Sequence, residues 1–288
     1  MSLNDPLASA ERWLAAFNAA AARASEELDR RPDIDSRLRE VGSIGAGGDR
    51  TLEIDALAED AVFDELGRLA AEGASFTAIS EERGTVAFGA GELRVVIDPI
   101  DGSVNAKRGL GHCAMSIAVA DGPTVEDLVL AFVYDFGAQE TFHAVRGGGA
   151  FLDGRRVAPP AKERRTDDGR LELLCIETSD ARRTAAVAAS LAEVAYRWRI
   201  LGSIAVAMCQ VATPRVDSMV NVTECRIVDA AAGALIARES GAVVRFASGE
   251  SPQLDLDQRT ALCVARTPTV ADTLLISLGD GAHGADYG

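Results

Sequence analysis

Two aspartates three positions apart, Asp98 and Asp101, follow an apolar run and precede a glycine and a serine in Val95-Val96-Ile97-Asp98-Pro99-Ile100-Asp101-Gly102-Ser103. Three β-branched residues in a row read as a buried strand, predicted to stop at Asp98-Pro99. Two carboxylates at the carboxyl end of such a strand can converge on one or two metal ions. Gly102 lets the backbone approach a ligand closely. Ser103 is predicted to begin a short helix over about 104–109, and the free N–H groups at its start would form an anion site suited to phosphate. A plain strand-to-helix turn, with Asp101 or Ser103 as the helix cap, accounts for the same residues without any function. The acidic ladder of an EF-hand loop is missing.

Three further acidic segments stand out. Glu81 and Glu82, in Ile79-Ser80-Glu81-Glu82-Arg83-Gly84, follow another strand-like run, where an acidic pair is by default solvated. Asp229 opens a nearly wholly apolar helix, and an N-terminal cap would explain it. The small residues after it, Ala230-Ala231-Ala232-Gly233-Ala234, would let that helix lie very close to a neighbour. Asp55 falls at or near the start of a helix over about 52–71, where a solvated or capping role is again the default.

The elements that must position these groups follow from periodicity and breakers. A first helix is expected to open at Asp5-Pro6, with Asp5 as cap, and to present Leu7, Trp13, Leu14, Phe17, Ala21, Ala24 and Leu28 on one face. The glycine-rich stretch 42–48 reads as a loop or tight hairpin. The helix over 52–71 carries Leu57, Ala61, Val62, Leu66 and Leu69 on its apolar side. Strands are predicted over 75–79, 93–97, 113–120, 128–134 and 140–145, with turns at Gly147-Gly148-Gly149 and Asp153-Gly154. Beyond the polar segment 159–169, strands at 171–176, 197–201, 216–222, 243–246 and 261–265 alternate with helices near 180–194, 203–212 and 228–240 and a closing helix. The tail 279–288 is predicted to fray. The pattern divides the chain into an α+β half, 1–160, and an α/β half, 161–288.

Composition limits the function classes. The chain has 288 residues, 48% of them hydrophobic, enough for a large core, and 29 Lys+Arg against 44 Asp+Glu give a net charge of −15. Such a surface repels nucleic-acid backbones and anionic membranes. An acidic protein that handles phosphate esters would need bound cations to offset its own field. The five cysteines, Cys113, Cys175, Cys209, Cys225 and Cys263, form no CxxC pair and read as buried free thiols of a reducing cytoplasm. No signal-peptide pattern and no bilayer-length apolar run is visible.

Taken together, the motifs resemble the inositol monophosphatase family, within the superfamily that includes fructose-1,6-bisphosphatases. The segment 98–103 is close to that family's DPxDGT, and Ser80-Glu81-Glu82 is similar to its paired-glutamate motif. The run from Asp229 through Gly233 to Glu239-Ser240-Gly241 matches its second signature. Connecting segments agree in the same order: Met115 to Ala120, Gly147 to Phe151 with Asp153-Gly154, and Gly202 to Val206 through Asp217. The chain departs from the family at three places. Ser103 stands where Thr is usual, Val228 where many members have Trp, and Val222 where many inositol-type members carry an acid that touches the sugar.

The resemblance implies a layered αβαβα sandwich with the site between its halves, and a homodimer. It implies two or three Mg²⁺ ions: Glu81, Asp98 and the Ile100 carbonyl on one, Asp98, Asp101 and Asp229 on the second, and Glu81 shared with a weaker third. Such ions would activate water and neutralise the ester phosphate, so no nucleophilic Ser or Cys is needed. The amides of Gly102 and Ser103 would bind phosphate oxygens, Asp101 and Asp229 would also face substrate, and Asp55 would accept a hydrogen bond from Ser103. The implied substrate is an inositol monophosphate. Fructose-1,6-bisphosphate, histidinol phosphate or a 3′-phosphoadenosine nucleotide is the alternative within the superfamily. A non-catalytic binding protein that kept the fold is the alternative outside it, although every expected metal-carboxylate position is filled. With Val222 in place of an acid, broad specificity is expected.

Overall fold

The computed structural model describes residues 2–45, 50–158 and 162–279. The expected loop at 42–48 therefore lies partly, and the tail 280–288 wholly, outside the described residues.

Helix α1 (Ala10–Asp29) buries Trp13, Phe17, Ala20, Ala21, Ala24 and Leu28 along one stripe. It starts later than Asp5-Pro6 predicts. Asp5 instead caps a preceding turn, accepting from Ala8 N at 3.1 Å, and Leu7 in that turn is exposed. A short α2 (Ile34–Arg37) leads to the antiparallel pair β1 (Glu40–Ile44) and β2 (Arg50–Leu52). Helix α3 (Glu53–Ala71) buries Ala61, Val62, Leu66 and Leu69 as its pattern predicts, while Leu57 is only half-buried.

Eight strands then form the first sheet: β3 (Phe76–Ser80), β4 (Gly84–Phe88), β5 (Leu93–Asp101), β6 (Ala114–Ala120), β7 (Leu128–Asp135), β8 (Glu140–Val145), β9 (Gly149–Leu152) and β10 (Arg155–Arg156), with α4 (Ser103–Arg108) between β5 and β6. Their order is β10-β9-β8-β7-β6-β5-β3-β4, antiparallel except for the β3–β5 pair. The second sheet comes from later residues: β11 (Leu171–Glu177), β12 (Ala195–Arg199), β13 (Ser218–Asn221), β15 (Val243–Phe246) and β17 (Leu262–Ala265). Its order is β12-β11-β13-β17-β15, with the first three strands parallel. A two-stranded ribbon pairs β14 (Cys225–Arg226) with β16 (Arg259–Thr260). Helices α5 (Ala181–Val194), α6 (Ile204–Ala212), α7 (Ile227–Glu239) and α8 (Pro268–Leu278) complete the chain.

Contacts between elements set the layers. Helices α1 and α3 pack on one face of the first sheet, and α6 and α7 fill the space between the two sheets. Helices α5 and α8 cover the outer face of the second. The architecture is the αβαβα sandwich of an α+β protein. Strands β5, β6 and β7 are covered on both faces, so they read as continuous apolar runs rather than as alternation. The inner layer is tight because α7 is built from small residues. A Cβ on Gly233 would lie 2.8 Å from Met208 Sδ and 2.9 Å from Met208 Cβ of α6. The five cysteines are buried free thiols, as their apolar settings predict.

Candidate metal and phosphate site

Strand β5 does not stop at Asp98. It continues to Asp101, with Asp98 opposite Ser116 and Asp101 opposite Ala114 of β6. Three steps on β5 thus face two on β6, which is one bulge residue. Pro99, which has no N–H to offer a ladder, sits inside that irregularity. The bulge has a chemical consequence. In a regular strand residues three apart point to opposite faces, whereas one extra residue returns Asp98 and Asp101 to the same side. Asp98 Oδ1 accepts from Ile100 N at 3.0 Å, which fixes the bulge locally.

The other acidic groups arrive from different layers. Glu81 and Glu82 lie on the turn between β3 and β4. Glu59 of α3 anchors this turn, accepting from Arg83 N at 3.0 Å, from Arg83 Nε at 3.2 Å and from the Ser80 hydroxyl. Asp229 lies in the first turn of α7, where the helix dipole favours a negative charge. Carboxylate oxygens of Glu81, Asp98 and Asp229 all come within 4.8 Å of one another. Two of these three are supplied by the first sheet and its turn, the third by the helix between the sheets, so the group gathers where that helix meets the first sheet.

Asp101 stands beside this group rather than in it. Its Oδ2 accepts from Ser203 Oγ and from Ala205 N, both at 2.6 Å, at the start of α6. The Ile100 carbonyl accepts from Ser103 Oγ at 3.0 Å. The expected hydrogen bond from Ser103 to Asp55 is therefore not made. Asp55 turns back to its own helix start instead, accepting from Leu52 N at 3.4 Å, and its Oδ1 is buried without a partner. The local reason is that Asp55 is the third residue of α3, the position from which a carboxylate reaches the unpaired N–H ahead of the helix. Gly102 precedes α4 with φ 90°, and a Cβ there would meet the carbonyls of Gly202 and His112, each at 2.9 Å. Glycine is required by both conformation and space.

Burial dominates the electrostatics, with the crowding of carboxylates adding to it. Burial, then the charges of Asp101 and Asp229, raise Asp98 well above the usual carboxylate range. Burial and Asp101 push Asp229 up to about 7, against the opposing pull of Arg226 and Arg259. Burial raises Asp101 to about 6, while its bonds to Ser203 and Ala205 hold it down. Burial and the charge of Glu82 raise Asp55 to about 7. Like charges this close cannot all ionise without a counter-charge. Arg226 supplies part of it through an ion pair with Glu81. An all-oxygen set under mutual repulsion fits a hard divalent cation such as Mg²⁺.

Two clefts flank the group. One, of about 270 Å³, is lined by Asp101, Glu177, Asn221, Thr223, Asp229 and Arg259 among others. The other, of about 790 Å³, is lined by Asp55, Glu81, Glu82, Ser103 and Lys107, and both share Thr178, Ser179 and Gly202. Val222 lines neither. It is packed in the apolar layer between the second sheet and its outer helices, while Glu224 reaches the smaller cleft. Glu224 and Arg226, near Val222 in sequence, are the residues able to stand in for the missing acid; the sequence leaves their direction open, and both line the smaller cleft.

Sequence reasoning did not single out Glu59, Asn105, Glu177 or Arg259. Glu177 carried a usable signal, because it ends a buried strand just as Asp98 approaches the end of one. Glu59 and Asn105 carried none, since their partners are 24 and 96 positions away.

A layered α+β sandwich with an acidic, all-oxygen centre between its sheets defines a sugar-phosphatase type of protein. The chain belongs to the inositol monophosphatase family, which it matches over residues 9–280. It is 33% identical over 241 residues to a fructose-1,6-bisphosphatase/inositol-1-monophosphatase of Methanothermobacter thermautotrophicus, covering 78% of this chain and 82% of that one. It is 30% identical over 224 residues to a fructose-1,6-bisphosphatase of Pyrococcus furiosus, covering 77% and 80%. Among solved structures, the extragenic suppressor protein suhB from Bartonella henselae superposes with a TM-score of 0.76 at 24% identity, covering 93% of this chain and 98% of that one. The fold is thus shared with that structure. The family is one of phosphatases, generally metal-dependent, acting on phosphorylated sugars or polyols. Among the described residues, no helix is long and apolar enough to cross a membrane.

Proposed function

We propose that this chain is a Mg²⁺-dependent phosphatase of small phosphate monoesters, with an inositol monophosphate as its substrate, working as a cytoplasmic homodimer. The observation that carries the reading is the approach of Glu81, Asp98 and Asp229 oxygens to within 4.8 Å in a member of this family. Glu81, Asp98, Asp101, Asp229 and the Ile100 carbonyl would hold two or three ions. When bound, the ions would neutralise the ester phosphate and lower the pKa of a water.

The chain's own groups do the rest. The amides of Gly102 and Ser103 orient phosphate oxygens at the start of α4. Asp55 and the Ser103 hydroxyl lie along the larger cleft with Glu81. Asp55 accepts a hydrogen bond from that hydroxyl and orients it toward the attacking water, once Ser103 releases the Ile100 carbonyl it now bonds. Thr178, Ser179 and Thr223 offer hydroxyls to a polyol leaving group.

A second reading, a sugar bisphosphate such as fructose-1,6-bisphosphate, is favoured by Arg259, an exposed cation in the smaller cleft beside Asp229. Phosphate release from inositol-1-phosphate and fructose-1,6-bisphosphate, with Mg²⁺ and with EDTA, tests both. Activity is expected only with the metal. Full turnover in EDTA would end the metal-phosphatase reading. A bisphosphate rate more than a hundredfold above the monophosphate rate would transfer the assignment to the second substrate.

A further inference from the structure

The turn at 201–202 is held from two sides by groups outside the carboxylate centre. Buried Glu177, the last residue of β11, accepts from Leu201 N at 3.0 Å on Oε1 and from Gly202 N at 2.9 Å on Oε2. From the other side, Asn105 of α4 donates through Nδ2 to the Leu201 carbonyl at 2.7 Å and to the His112 carbonyl at 2.9 Å. The turn leads directly into Ser203 and Ala205, whose O–H and N–H donate to Asp101 Oδ2. Little slack is left. Gly202 has φ 82°, a Cβ on it would lie 2.8 Å from Asn105 Nδ2, and its carbonyl closes on Gly102. A carboxylate of the second sheet thereby fixes, through one turn, the orientation of a carboxylate on the first.

We propose that Glu177 is a positioning residue for the metal centre: by clamping two consecutive backbone amides it sets the start of α6, which aims Asp101 at the ion. The inference rests on the reading of Asp101 as a metal ligand. Both oxygens of Glu177 accept from the turn, and Oε1 also accepts from Cys175 Sγ at 3.3 Å, so its bonds point away from the substrate although the residue lines the smaller cleft. Partners that orient metal ligands are worth about 10–100-fold in metal affinity.

Two substitutions separate position from charge. Glu177→Gln keeps the shape but replaces one acceptor with a donor that faces an amide N–H. Glu177→Asp keeps the charge but falls one methylene short of the turn. The measurement is the Mg²⁺ concentration that half-saturates the rise in melting temperature, taken on the full chain without substrate. Phosphatase KM at saturating Mg²⁺ is the second readout.

Both variants are expected to need at least tenfold more Mg²⁺ for the thermal shift, with KM within about twofold of the parent protein. If either is too unstable to melt cooperatively, Asn105→Ala loosens the same turn from the opposite side and is expected to move the Mg²⁺ midpoint in the same direction. An effect of Glu177→Gln without one of Glu177→Asp would make Glu177 a source of charge and overturn the proposal. A raised KM with an unchanged Mg²⁺ midpoint would make it a substrate contact and overturn it equally. If the parent protein itself shows no thermal response to Mg²⁺, the metal-centre reading fails, and this inference with it. If the parent responds and every variant matches it, the inference alone fails.

Discussion

Replacing Asp55 with asparagine should stabilise the metal-free protein at neutral pH while lowering its activity. Asp55 is buried with one oxygen unpartnered, and its carboxyl is raised from the usual 3.8 to about 7. In the unfolded chain the group ionises near its ordinary value. Between those two values folding therefore requires either a proton taken up or a charge buried. Wild-type stability is consequently highest in acid with respect to this group and falls as pH rises from about 4 to about 7, after which the loss is complete. The shift of roughly 3.2 units, at about 1.4 kcal/mol per unit, amounts to about 4 kcal/mol.

Asparagine has no charge to bury and removes that pH-dependent loss. It also places an amide N–H₂ where the unpartnered oxygen was, at a pH-independent cost of about 1–3 kcal/mol. The variant should thus be less stable than wild type at pH 4 and more stable, by about 1–3 kcal/mol, at pH 8. Urea unfolding followed by circular dichroism, in EDTA and at several pH values, measures the crossing. A stability difference that stays flat with pH, or one that favours the variant more in acid, would refute the buried-charge reasoning. Turnover with Mg²⁺ should fall in the same variant, since a neutral amide oxygen is a weaker acceptor for the Ser103 hydroxyl than a carboxylate.

Three other outcomes are expected. Asp98→Asn should lower turnover by several orders of magnitude in a folded protein, because Asp98 is the buried member of the oxygen triad and neutralising phosphate charge is worth several kcal/mol at tenfold per ~1.4; near-normal activity would remove Asp98 from the site. Ser103→Ala should reduce kcat more than it raises KM, since the backbone amides at the start of α4 survive the change and the hydroxyl does not; a change in KM alone would make Ser103 an anchor for substrate. Gly233→Ala should destabilise the fold by about 1–3 kcal/mol through overpacking against Met208, read as a lower urea midpoint; an unchanged midpoint would mean that the inner helices part easily.

The sequence by itself determined the kind of elements and the kind of chemistry. Apolar runs covered on both faces, such as 114–120 and 128–135, announced buried strands. The small residues after Asp229 announced a close-packed helix, which α7 is. Acidic segments around 81, 98 and 229 announced carboxylates able to gather, and Glu81, Asp98 and Asp229 do so. These features are local, and a local pattern is what periodicity and motif spacing report.

What only the tertiary structure decided is direction. Pro99 breaks a regular ladder, which the sequence reads as the strand's end, but nothing in Asp98-Pro99-Ile100-Asp101 says that pairing resumes beyond a bulge, and without the register slip against Ser116 and Ala114 the two aspartates would face apart. Asp55 and Ser103 looked like partners from the resemblance, but each found a nearer backbone group first: Leu52 N for one, the Ile100 carbonyl for the other. Val222 was read as facing substrate and went to the core, because its side chain belongs to the apolar layer behind the second sheet. Glu177 and Asn105 gained their roles only when folding brought a turn 24 and 96 positions further along the chain against them. A side chain's direction follows from register and from contacts between distant segments, and a linear sequence encodes those only through the completed fold.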